Sequence, residues 1–120
     1  MMPLLQTQLP SDVSHPQLIR GLQGKWFGRL RWLGLSESGA AVFLKWITDE
    51  GDIQIEAHIM GKELSIEAKL LHGGTMNDAL QAAYGLMAQI GKLCSSLQAA
   101  EPVSGLVTFL SFFGFDPAVA

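Results

Sequence analysis

A chain of 120 residues is long enough for about one domain, burying roughly two thirds of the surface its unfolded form exposes. A hydrophobic share of 48% against 16% charged residues excludes a disordered chain, and a net charge of -3 excludes a footprint built chiefly on nucleic-acid phosphate. The single cysteine, Cys94, excludes an internal disulfide framework and a structural zinc site, and no apolar run reaches the roughly 18 residues of a membrane span.

The start, "MMPLLQTQLPSD", has neither a basic n-region nor a sustained apolar segment, so the expected location is the cytoplasm. Residues 1–13 are expected to form a flexible arm, and residues 14–120 a single α+β domain. In "SHPQLIRGLQGKW" Ser14 suits a helix start and Pro16 a first helical position, while Gly21 and Gly24 keep the helix short. Two strands follow. "WFGRLRWLGL" sets Leu30 and Trp32 against Arg29 and Arg31, and "AAVFLKWIT" sets Leu44 and Trp46 against Phe43, Lys45 and Ile47, with "SESG" as the turn between them.

"GDIQIEAHIMGKELSIEAKLLHGG" reads as a hairpin about a two-residue Gly61-Lys62 loop. That loop pairs Ile59 with Leu64, Ala57 with Ile66, Ile55 with Ala68 and Ile53 with Leu70, so one face is wholly apolar. A slip of one residue would destroy the match. The other face sets His58 beside Ser65, Glu56 opposite Glu67 and Gln54 opposite Lys69. Two like charges face to face are mildly destabilising, which raises Glu56, His58 and Glu67 as a metal or acid/base site. The preferred expectation is a solvated face on which Lys69, Lys45, Arg29 and Arg31 relieve the repulsion.

The period then changes. Met76, Leu80, Ala83, Met87, Ile90, Cys94 and Leu97 recur in steps of four and three and predict a helix over residues 75–98 that covers the apolar face of the sheet. Thr75 is the expected N-cap, with Asp78 three residues on. Gly85 and Gly91 are read as allowing close helix-to-sheet approach, and Cys94 as a buried, inert thiol. Beyond them "LVTFLSFFGF" is uncharged and lacks alternation, as in a strand covered on both faces or one meeting a partner. Its cluster of Phe109, Phe112, Phe113 and Phe115 is the first candidate partner surface.

His15, His58 and His72 fall in no motif with a nucleophile, and "HGGT" lacks the lysine and spacing of a phosphate loop, so no enzyme activity and no cofactor are expected. Residues 13–36 carry Arg20, Lys25, Arg29 and Arg31 without an acid, interleaved with Trp26, Phe27 and Trp32. Arg29 and Arg31 are the second candidate surface, for an acidic protein partner rather than nucleic acid.

From Gly51 onward the order of tight hairpin, glycine-bearing loop, long helix and final strand resembles the C-terminal substrate-specificity switch domain of flagellar hook-length and type III secretion needle-length control proteins. "GDIQIEAHIMGKELSIEAKLL" is similar to that family's two strands and "DALQAAYGLMAQIGKL" to its Leu- and Ala-rich helix. The chain departs from the family at "ITDEGDI", which keeps Gly51 but not the proline and Leu-Gly pair. The resemblance implies a non-enzymatic protein-binding module that contacts the cytoplasmic part of an export gate, in a bacterial cytoplasm or exported through the apparatus itself. The chain also resembles small acidic type III secretion chaperones, which bind an effector and are usually dimers, so a homodimer is the alternative. "LSESGA" resembles part of the cyclic-dinucleotide-binding PilZ signature, with Gly34 where that signature has Asp or Asn. The expected fold is α+β: a mainly antiparallel sheet of four to five strands, one long helix packed on one face, and a short N-terminal helix.

Overall fold

The computed structural model describes residues 2–99. Its elements are β1 (Met2–Gln8), α1 (His15–Leu22), β2 (Leu30–Ser38), β3 (Ala41–Thr48), β4 (Ile53–Met60), β5 (Glu63–Leu70) and α2 (Met76–Ala99). The five strands form one antiparallel sheet in the order β1-β5-β4-β3-β2, and α2 packs across it, which is the α+β architecture the sequence predicts.

The central hairpin has the predicted register throughout: Ile59 opposite Leu64, Ala57 opposite Ile66, Ile55 opposite Ala68 and Ile53 opposite Leu70. Gly61, at φ +59, supplies the turn conformation that a side chain resists. On β3 the alternation also holds, with Val42, Leu44, Trp46 and Thr48 turned inward. Trp46 is fully buried, and its indole N–H donates to the Lys25 carbonyl at 2.9 Å, so the largest core side chain leaves no polar atom unpaired. Trp32 packs edge-on against it, with ring centroids 5.3 Å apart.

Four details differ from the sequence expectation. Residues 1–13 are no loose arm, because Met2–Gln8 pairs with β5 as an edge strand, and Leu9, Pro10 and Val13 are buried. The Leu9 N–H donates to the Lys62 carbonyl at 2.6 Å, and the Lys62 ammonium donates to the Val13 carbonyl at 2.9 Å, tying this segment to the central hairpin. A register shift between Pro3 and Leu5 interrupts alternation on β1, which is why no period-2 pattern marks it.

The β2–β3 turn is Gly39-Ala40 rather than "SESG", since Ser36 and Ser38 still pair with Phe43 and Ala41. On α2 the buried line runs Ala79, Ala83, Leu86, Ile90, Cys94, while Met76 is exposed and Leu80 and Met87 only half-buried. The face is rotated because alanines, not methionines, let the helix sit close on the sheet. Gly85 is not part of that approach, as a Cβ there would meet nothing within 4 Å among the described residues. Close approach occurs instead at Gly21, where a Cβ would fall 2.5 Å from a Leu93 methyl, and at Gly74, where it would fall 2.2 Å from the Asp52 carbonyl oxygen.

Both helix starts are capped as predicted. Ser14 accepts from the Gln17 N–H, with Gln17 completing a capping box, and Thr75 Oγ1 accepts from the Asp78 N–H at 3.2 Å.

Candidate functional site

β4 is the middle strand of the sheet, so its outward side chains are flanked by those of both neighbours. Register places Lys45 and Glu67 on either side of Glu56, and Phe43 and Ser65 on either side of His58. His58 lies between the two carboxylates: Nε2 is 3.0 Å from Glu56 Oε2 and Nδ1 is 2.7 Å from Glu67 Oε2. Lys45 Nζ is 3.8 Å from the other Glu56 oxygen, and the Phe43 ring meets the imidazole edge-on at 4.5 Å. The face is therefore not the solvated surface expected, since Glu56 is only 8% exposed. Repulsion between Glu56 and Glu67 is relieved by the imidazole and by Lys45; Lys69 stays exposed.

That geometry bears on chemistry. The carboxylates approach opposite edges of the ring and occupy both its nitrogens, so the three groups do not converge on a point a cation could share. Among the described residues, no group of three or more His, Cys, Asp or Glu side chains is placed to hold a metal ion. A neutral imidazole donates from one nitrogen only, so both contacts are hydrogen bonds only when the ring carries two protons. The cluster is satisfied internally: each imidazole nitrogen faces a carboxylate, and Lys45 faces the second oxygen of Glu56.

Arg29 and Arg31 are not brought together as a cationic patch. Arg29 Nε is 3.3 Å from Asp49 Oδ1, and its Nη2 is 3.5 Å from Glu50 and 3.8 Å from Asp52. The hydrogen bond to Asp49 is the main cause holding the guanidinium above its ordinary pKa. Arg31 is half-buried, with its Nε enclosed and unpartnered among the described residues. The sequence reading of an acid-free basic stretch overlooked the acids of the β3–β4 loop, which fold back on Arg29.

That loop is organised by Thr48, a buried residue that reads in sequence as one more alternating position. Its Oγ1 accepts from the N–H groups of Asp52 (3.1 Å) and Ile53 (3.0 Å) and donates to the Asp52 carboxylate. The Thr48 hydroxyl, ahead of the loop N–H groups and Arg29, holds the Asp52 carboxyl below its ordinary pKa. Beside the loop, a recess of about 290 Å³ between Phe27, Arg29, Thr48 and the α2 residues Asp78, Gln81 and Gln89 has mixed polarity, and Arg29, the one cation lining it among the described residues, is already paired.

A larger opening lies on the far side of the molecule. The end of β1 and the flank of α2 enclose a groove of about 530 Å³, lined by Leu9, Leu64, Met87, Ala88, Ile90 and Cys94, with Thr7 and Gln8 along one wall and Lys92 at the rim. Cys94 is buried there, and burial raises its thiol pKa, so the sulfur serves as apolar lining. Sequence periodicity could not reveal this groove, because it depends on β1. The candidate residues Phe109, Phe112, Phe113 and Phe115 lie outside the described residues. The chain matches no protein-family model, no curated protein and no solved structure.

Proposed function

We propose that the chain is a non-enzymatic protein-binding module of a type III or flagellar secretion apparatus, acting in export substrate-specificity switching. The observation that carries protein binding is the apolar groove set against an edge strand, the kind of concavity that captures polypeptide. The narrower role rests on the sequence resemblance over residues 51–113; consistent with it, among the described residues the hairpin of β4 and β5 is followed by a glycine-bearing loop and a long helix. Phe109, Phe112, Phe113 and Phe115 are proposed to extend the contact. Arg29 is a weaker contributor, since a partner's acid would have to displace Asp49 and Glu50.

A dimeric effector chaperone is the second reading, favoured by one feature: β1 carries no charged residue, so two copies could pair edge to edge without like charges opposed. Light scattering at micromolar concentration separates the two. A switch module is a monomer alone and binds the cytoplasmic domain of the export gate, whereas a chaperone is a dimer and binds an effector segment. A monomer that binds neither overturns both.

A further inference from the structure

Resting on the protein-binding reading above, we propose that the groove receives an extended segment of a second protein, which adds to the sheet as a strand along β1 and lays an apolar side chain between β1 and α2, with an acidic residue at Lys92.

The backbone of β1 specifies this mode. Leu9 donates to Lys62, and the register continues with Thr7 opposite Leu64 and Leu5 opposite Ile66. Antiparallel hydrogen-bonded pairs alternate, so Leu5, Thr7 and Leu9 spend their N–H and C=O groups on β5. The same groups of Gln6 and Gln8 then point to the outer edge, where no other described strand lies. A row of donors and acceptors at strand spacing is matched by another extended backbone and not by a compact small molecule.

The side-chain surface specifies the rest. Gln8 offers its backbone to that edge and also lines the groove, so a strand added there would set alternate side chains over Leu64, Ile90 and Cys94. Met87 and Ala88 of α2 form the opposite wall. Edge strands are ordinarily guarded by charge, proline or a bulge; β1 has no charge, and its Pro3 and bulge lie at the end away from Gln6 and Gln8, whereas β2 carries Arg31 and Glu37 within the strand. Among the described residues Lys92 is the one charged side chain lining the groove, which favours an acid at the matching position of the segment.

The test titrates the full chain, labelled with nitrogen-15, with a blocked decapeptide of alternating valine and threonine carrying one glutamate. Amide shifts are expected at Gln6, Gln8 and along α2 from Tyr84 to Ser95. Gln8→Pro removes one outward N–H without touching the ladder to β5, and is expected to lower affinity at least tenfold at an unchanged thermal midpoint. Ala88→Trp, which fills the groove from an exposed helix position, should do the same if the proline variant misfolds. Lys92→Glu should reverse preference towards a lysine version of the peptide. Shifts confined to β2, or equal affinity for a backbone N-methylated peptide, overturn strand addition. Binding seen only in the Phe113→Ser, Phe115→Ser variant would make the chain's own C-terminal run the occupant, and concentration-dependent dimerisation lost in Gln8→Pro would make it a second copy. Either result rejects the proposal. If the groove variants lose the peptide but keep export-gate binding, the protein-binding reading stands and this site is not the one used.

Discussion

Thr48 shows how much one hydroxyl can organise. Thr48→Val keeps the shape but strands the N–H groups of Asp52 and Ile53, at a cost of about 1–3 kcal/mol for each left unsatisfied. Chemical denaturation of the variant measures it. Asp52 adds a pH dependence of fixed sign: its pKa is lowered in the folded state, so its contribution is present above its ordinary pKa and is lost as pH falls below about 4. Asp52→Asn should therefore be less stable than the parent at neutral pH, and the two should converge in acid. The glycines give opposite signs. Gly74→Ala drives a methyl into the backbone carbonyl of Asp52, which cannot swing aside, and should cost about 1–3 kcal/mol. Gly85→Ala, in the middle of α2 with open space around it, should gain about 0.5–1 kcal/mol. None of this was legible in sequence, where "IT", "GG" and "YG" differ little from any other strand end, loop or helix; the deciding atoms come from distant segments.

At the scale of elements, legibility followed the strength of the local period. The hairpin of β4 and β5 could be registered residue by residue because two period-2 runs flank a glycine turn, and a slip of one residue would have moved the isoleucines to the polar face. Ile66→Asp tests the inward face: an unpaired carboxylate at a site with no solvent exposure costs several kcal/mol, against a total of about 5–15, so the variant should be unfolded by circular dichroism at room temperature. Glu67→Ala on the other face removes one of two carboxylates from the His58 ring and should cost about 0.5–1.5 kcal/mol, somewhat more than a solvated glutamate would. The burial of Glu56 was not readable, because it depends on β4 lying in the centre of the sheet, and strand order is not written in the period of any one strand. For α2 the period identified the helix but misplaced the centre of its buried face, since small residues, not large ones, mark the closest approach.

On the whole molecule, the unread strand β1 matters most, because it closes one side of the sheet and creates the groove. Its bulge at Leu4 removed the alternation that exposed the other strands, and its pairing partner lies some sixty residues later in the chain. An arm and an edge strand make opposite predictions for truncation. Removing residues 1–9 from a loose arm would leave the thermal midpoint where it was. Here the same truncation uncovers the edge of β5, strips Leu9 from the core and deletes a groove wall, exposing apolar surface around Leu64 and Ile90. Burying a leucine side chain alone is worth about 1.5–3 kcal/mol, and for a domain of this size each 1 kcal/mol moves the midpoint by roughly 4–8 °C. The truncated chain should therefore melt at least several degrees lower by calorimetry and bind more of a hydrophobic dye than the intact chain does. An unchanged midpoint would return residues 1–9 to the role of an arm and remove the structural basis for a binding groove at β1.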